Sequence, residues 1–260
     1  MRHPMDLKEK VAVVTGGNSG IGFGIAKGLA SAGCSVAIWA RSDDKNASAV
    51  QALKDLPGEV AAFACDVTNR QSVERAANET IQRFKYIDGM FANAGMGGGN
   101  REPFLSRKSS DWEKMINLNL YGAFHVCQAA LSYMKQQSEQ GRKTGRVVLT
   151  SSIASHFGTS MNEHYALTKA GLSSLAKSLS VEFARYGITA NALLPGYTST
   201  EMTNGLFDNE KFVKAVMPRI PMRRFGDVED FSGAAIYLMS DLSSYHTGDV
   251  LTIDGGYSIY

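Results

Sequence analysis

Tyr165 and Lys169 stand four residues apart in Tyr165-Ala166-Leu167-Thr168-Lys169, with Ser152 thirteen residues upstream. A helix across 165–169 stacks residues four apart on one face, which brings an ammonium alongside a phenol. At ~4 Å and an effective dielectric of ~20, that pairing favours phenolate by about 4 kcal/mol. The effect is roughly three pKa units from a free value near 10, before desolvation reduces it. A tyrosine held this way can give up or take up a proton near neutrality, and the Ser152 hydroxyl can hold a substrate oxygen beside it. Taken singly, a Y-x-x-x-K spacing is most often an ordinary helix face, so the chemistry has to be argued from what surrounds it.

Upstream, Thr15-Gly16-Gly17-Asn18-Ser19-Gly20-Ile21-Gly22 follows a strand-like run and leads into a helical one that starts near Ile21. In that context glycines let the backbone approach a pyrophosphate at a helix N-terminus. The spacing is G-x-x-x-G-x-G rather than G-x-G-x-x-G, and a plain glycine-rich turn is the competing reading. An acidic residue about twenty positions further on normally binds the adenosine ribose and repels a phosphate. Here the second strand ends Ile38-Trp39-Ala40-Arg41-Ser42, with a guanidinium in place of the acid. NADP(H) is therefore favoured, its 2′-phosphate met by Arg41 with Ser42 and Asn18 or Ser19 as secondary donors. NAD(H) stays open, because Asp43 or Asp44 could turn toward the ribose. Asp66-Val67 and Asn93-Ala94-Gly95 offer a carboxylate for the adenine amino group and a close wall beside the ribose, although each alone would pass as turn chemistry.

The elements that position these residues follow from the apolar pattern. Short β-branched or apolar runs recur at 11–15, 36–40, 60–64, 89–92, 146–151, 189–194 and 250–253, separated mostly by segments with helical spacing. Alternation of this kind predicts an α/β, doubly wound single domain: a seven-stranded, mostly parallel sheet with helices on both faces and ligand loops at the carboxyl ends of the strands. The glycine turn, Arg41, Asp66, Asn93–Gly95, Ser152 and Pro195-Gly196 each follow a strand end. No linker or repeat divides residues 1–260. The stretch 200–221, with Met202, Leu206, Phe207, Phe212, Val213 and Met217, reads as an amphipathic substrate lid, and the glycine-rich loop 95–100 borders the site.

Composition narrows the functional classes. A formal net charge of +2 with 20% charged residues lacks the basic excess of a nucleic-acid binder, and 44% hydrophobic residues are enough for a sizeable core. No apolar run is long enough to cross a bilayer. Cys34, Cys65 and Cys127 are widely spaced and odd in number, without a C-x-x-C pair, which argues against a metal site and for a cytoplasmic setting.

Together these residues resemble the short-chain dehydrogenase/reductase family, from about Leu7 to the C-terminus. Thr15-Gly16-x-x-x-Gly20-x-Gly22 is similar to the family's cofactor turn, Asn93-Ala94-Gly95 to its N-A-G motif, and Asp254-Gly255-Gly256 to its C-terminal signature. The resemblance implies a Rossmann-like fold, with Asp66 as the adenine contact and Pro195, Gly196, Thr198 and Thr200 near the nicotinamide carboxamide. It implies a catalytic tetrad of Asn119, Ser152, Tyr165 and Lys169. In it Ser152 orients the substrate, Tyr165 is the acid/base, Lys169 activates it and binds ribose, and Asn119 helps hold a water in a proton relay. Family members are commonly homotetramers. Ala92 replaces the second asparagine of the family's fuller motif, and Ser19 replaces the basic residue that many NADP-using members carry.

The expected reaction is hydride transfer between NADP(H) and a carbonyl or secondary alcohol, and a non-catalytic NADP(H) redox sensor is the rival reading. The tetrad argues for chemistry. The substrate side draws on Ser152, Ala154, Tyr165 and Met202, with His156, Phe157, Met161, Asn162, His164, Leu206 and Phe207 nearby. Their mixture suits a sugar or polyol, a 3-oxoacyl thioester or a steroid equally well.

Overall fold

The computed structural model describes residues 5–98 and 102–260. Gly99 and Asn100, the end of the loop expected to border the site, lie outside the described residues.

Seven strands form one sheet: β1 (Val11–Thr15), β2 (Ser35–Ala40), β3 (Val60–Ala64), β4 (Gly89–Ala92), β5 (Arg146–Thr150), β6 (Thr189–Pro195) and β7 (Val250–Ile253). They lie in the order β3-β2-β1-β4-β5-β6-β7, and every pairing is parallel. The expected strand set and doubly wound architecture hold, within one residue at each boundary. Parallel strands need covered crossovers, and among the described residues eight α-helices supply them: α1 (Gly20–Ser31), α2 (Asp43–Leu53), α3 (Arg70–Phe84), α4 (Ser109–Ile116), α5 (Gly122–Glu139), α6 (Glu163–Phe183), α7 (Glu210–Val216) and α8 (Ser232–Met239).

Strand residues alternate between two cores. Val13, Ala37, Trp39, Met90, Val147 and Leu149 join one cluster with residues of α3, α5 and α6. Ala12, Val14, Val36, Ile38, Phe91 and Val148 join the other with residues of α1, α2 and α8. Each strand is apolar on both faces, which is why the sequence shows continuous runs instead of polar alternation. From β1 the chain moves outward to β2 and β3, then returns to the other side of β1 as β4. The crevice outside the carboxyl ends of β1 and β4 is therefore the topological switch point, where this architecture gathers ligands.

Between α4 and α5 the helix widens into a π turn, Asn117–Tyr121. A π turn inserts an extra residue, re-aiming side chains relative to the flanking α-helix. Here it turns Asn119 inward, to full burial.

Candidate active site

The glycine turn leaves β1 with Gly16 at φ +64°, a left-handed conformation that glycine adopts freely. Gly22, one turn into α1, packs so closely that a Cβ there would lie 2.3 Å from the Gly16 carbonyl oxygen. It closes the turn against the helix and does not line the cleft. Ser19 occupies the α1 N-cap position without a side-chain cap bond, and the first turn carries no acid. The first-turn N–H groups thus keep their capacity for an anion.

Two adjoining cavities meet at this turn and share Gly16, Ser19, Ala94 and Gly95. One, of about 530 Å³, runs over the ends of β2 and β3 past Asn18, Arg41, Ser42, Asp66 and Val67. Thr68 donates to Asp66 Oδ1 through its backbone N–H (3.0 Å) and its hydroxyl (2.7 Å). Burial works to raise the Asp66 carboxyl, but these bonds and the Arg41 charge outweigh it and hold the group below its ordinary value. The other cavity, of about 210 Å³, passes Gly20, Ile21, Asn93, Ser152, Tyr165, Lys169, Pro195, Gly196, Thr198 and Thr200.

Beyond the second cavity a wider one of about 920 Å³ holds Ser152, Ala154, Phe157, Met161, Asn162, Tyr165, Met202 and Leu206. Tyr165 faces both, so the phenol stands where the two spaces join. Burial raises its pKa above the ordinary tyrosine value, and a hydrogen bond from Ser152 offsets part of the rise. Lys169, one helical turn on, is buried and pushed down to about 8 by desolvation. Its Nζ donates to the Thr150 carbonyl at 2.8 Å and lies 5.7 Å from the Tyr165 ring centre. The helix face is as expected, but the expected depression of the phenol by its ammonium neighbour is not found. Desolvation raises the phenol and lowers the ammonium.

Asn119 lines none of these cavities. Its amide clamps Met96, accepting from the backbone N–H at 2.9 Å and donating to the carbonyl at 3.1 Å, and it also donates to Thr168 Oγ1 at 3.1 Å. The residue ties the loop after β4 to helix α6. Ser151 adds a second tie, its hydroxyl donating to the Lys169 carbonyl at 2.6 Å.

The chain matches the family model described as enoyl-(acyl carrier protein) reductase over residues 16–258. It is 37% identical over 252 residues to a 3-oxoacyl-(acyl-carrier-protein) reductase of Chlamydia muridarum (strain MoPn / Nigg), covering 96% of this chain and 98% of that one. The chain belongs to the short-chain dehydrogenase/reductase family. Sorbose reductase of Schizosaccharomyces pombe is another relative, 34% identical over 262 residues with 99% of each chain covered. Among solved structures, a gluconate 5-dehydrogenase from Burkholderia cenocepacia J2315 in complex with NADP and tartrate superposes with a TM-score of 0.91 at 32% identity, covering 99% of this chain and 100% of that one. This short-chain dehydrogenase/reductase is thus an oxidoreductase of the CH–OH/carbonyl couple.

The fold brings the expected residues of this short-chain enzyme together, apart from Gly22 and Asn119, which support the cleft from behind. His156 and Phe207 do not line the substrate cavity; Phe207 stacks on Phe225 with ring centres 4.0 Å apart. His164 is buried beside Trp112, 5.9 Å between ring centres. It falls one position before Tyr165 on α6 and so points about 100° away. Thr15, read in the sequence only as the start of the glycine turn, has a hydroxyl that accepts from the backbone N–H groups of Asn93 and Ala94, both at 2.9 Å. The sequence reading did not foresee Asn46, which donates to the Ala40 carbonyl and accepts from Asn18. Lys45, Arg219 and Tyr257 are among the lining residues it did not foresee. Asn46 and Lys45 follow directly on the Arg41 loop, a proximity that could have flagged them; Arg219 and Tyr257 carry no such signal.

Proposed function

We propose that this enzyme interconverts a carbonyl and a secondary alcohol with NADP(H), Tyr165 moving the proton. The observation that carries this reading is the position of Tyr165, which together with Ser152 lines both the cofactor-sized cleft and the wider cavity.

The cleft suits a dinucleotide. Its two halves meet at an uncapped helix N-terminus, the adenosine half is lined by Asp66 and Val67, and Arg41 stands where a 2′-phosphate would be placed. Arg41 with Ser42, Asn18 and Ser19 would hold that phosphate, and Lys45 adds a second cation at the same end. Gly16, Gly20 and Ile21 would face the pyrophosphate; Asn93, Ala94 and Gly95 the adenine ribose; Lys169 the nicotinamide ribose; and Pro195, Gly196, Thr198 and Thr200 the carboxamide. NADPH bound there supplies the hydride to the carbonyl carbon.

The remaining work falls to the chain's own side chains. Ser152 donates to the substrate oxygen and fixes it beside the phenol. Tyr165, a neutral phenol whose pKa burial raises further, delivers the proton to that oxygen as the hydride arrives, and Lys169 supports the resulting phenolate electrostatically. In the reverse direction the phenolate takes the alcohol proton. Asn119 positions the Met96 backbone and, through Thr168, the helix that carries Tyr165, consistent with a part in a proton relay to Lys169.

The turn Glu201–Thr203 and helix α7 serve as the substrate lid, rooted by Thr203, whose hydroxyl donates to the Thr198 carbonyl at 2.7 Å. We also read the exposed apolar residues of α5 and α6, among them Phe124, Leu167 and Val181, as the face on which copies associate into a homotetramer. Calorimetric titration with NADPH and NADH, followed by absorbance at 340 nm with a panel of ketones and aldehydes, tests the function. Tight NADPH binding and NADPH consumption are expected; binding without turnover of any panel member would instead support the redox sensor.

A further inference from the structure

The substrate cavity has a single charged residue among the described ones that line it, Arg219. Its guanidinium lies over the Tyr257 ring, 4.4 Å from the centre. That ring is itself fixed edge-on by Phe157 at 6.0 Å and Tyr197 at 5.2 Å, and all three aromatic residues line the same cavity. Stacking orients the plane of a guanidinium and leaves its N–H edge for a ligand. Among the described residues the Arg219 side chain has no hydrogen-bond or ion-pair partner. Its neighbours differ: Arg223 donates to the Pro218 carbonyl, and Arg224 pairs with Asp230 at 2.6 Å.

No carboxylate side chain among the described residues lines this cavity. Of the acids around it, Glu201 of the adjoining cleft is ion-paired with Lys45 at 2.7 Å, and Glu163 accepts from the backbone N–H of Met161 at 2.8 Å. One cation with no ion-pair partner among the described residues, in a space that also holds Ser152 and Tyr165, is complementary to an anionic substrate. Thr159, Ser160, Thr203 and Asn204 add hydroxyl and amide groups to its lining. They match a hydroxylated carbon chain better than an acyl or steroid skeleton.

Building on the reading that Ser152 and Tyr165 mark the reacting carbonyl, we propose that the substrate is a polyhydroxy oxo acid, or its alcohol form, whose carboxylate is bound by Arg219. The planar two-oxygen carboxylate matches the guanidinium fork, and the cavity's volume of about 920 Å³ accommodates a six-carbon chain with both ends engaged.

The test compares 5-oxo-gluconate with L-sorbose, which share a carbon skeleton and differ in a terminal carboxylate against a primary alcohol remote from the ketone. Wild-type kcat/KM should favour the acid by about tenfold, the scale of a solvent-accessible charge-assisted pair. In Arg219→Met that selectivity ratio should fall about tenfold through the KM of the acid, and Arg219→Lys should restore part of it. Calorimetric binding of tartrate to the enzyme with NADP⁺ reads the same point without turnover, and should weaken about tenfold in Arg219→Met. A selectivity ratio that Arg219→Met leaves in place, a wild-type preference for L-sorbose or acetoacetyl-CoA over the acid, or tartrate binding absent from the wild type or equal in both proteins would overturn the carboxylate proposal alone. Failure of the wild type to bind NADPH would instead remove the functional reading beneath it.

Discussion

Lys169 donates its hydrogen bond to the Thr150 carbonyl and sits 5.7 Å from the centre of the Tyr165 ring. The lysine is thus anchored to the end of β5 while its charge stays within reach of the phenol face. Its lowered pKa, about 8, has two consequences.

The first is a pH dependence. Reduction needs a protonated phenol, and burial keeps Tyr165 protonated past its ordinary range. The Lys169 charge, in contrast, is lost as pH rises through about 8. Reductive kcat/KM should therefore be flat below neutrality and fall through about pH 8, while oxidation of the alcohol rises with pH because its phenol must accept a proton. Initial rates in both directions across pH 6–10 check this.

The second concerns stability. A lysine with a folded pKa near 8 and an unfolded one near 10.5 is destabilising below pH 8, and that cost is relieved as pH rises from about 8 to 10.5. The cost is of order 3 kcal/mol at most. Lys169→Met should lose turnover by about a hundredfold or more while matching or exceeding wild-type stability at pH 7. Denaturant unfolding at pH 7 and pH 10 should show the wild type gaining on the variant at the higher pH.

Cofactor choice rests on Arg41, with Lys45 beside it and Glu201 competing for Lys45. Arg41→Asp should swing the NADPH-to-NADH affinity ratio by about a hundredfold toward NADH, since it removes charge-assisted hydrogen bonds and adds repulsion. Glu201→Gln should tighten NADPH binding by a few-fold at low salt, the scale of an exposed ion pair. Titration calorimetry on the wild type and both variants measures the two effects.

Thr15 holds the loop after β4 through two backbone N–H groups. Thr15→Val keeps the volume but leaves both donors without their acceptor, and should cost about 1–3 kcal/mol of unfolding free energy. Thr15→Ser should retain most of it. Urea unfolding distinguishes them, and weaker NADPH binding in the valine variant would show that the Asn93–Gly95 wall is held from β1.

What could be read in the sequence was what local pattern controls. Val11–Thr15 and its counterparts show as strands because residues buried on both faces leave continuous apolar runs, and strand ends in a parallel sheet gather ligands whatever the loops contain. The four-residue interval between Tyr165 and Lys169 gave the shared helix face. It could not give depth, and desolvation, which depends on everything packed above that face, reversed the expected direction of the phenol shift. The π turn at Asn119 leaves no periodic trace, because an apolar stripe drifts only slightly over one widened turn. Arg219 and Tyr257 meet 38 positions apart in sequence through packing alone. Neither has a motif to announce it.

The most direct measurement is the comparison of Tyr165→Phe with wild type, in NADPH affinity and in single-turnover NADPH oxidation with a reducible carbonyl. The phenyl ring keeps the packing and removes only the hydroxyl that Ser152 engages. NADPH affinity within about twofold of wild type, with the hydride-transfer rate down by about 10²–10⁴, is the predicted result. A variant that still oxidises NADPH at the wild-type rate would show that the proton comes from another group.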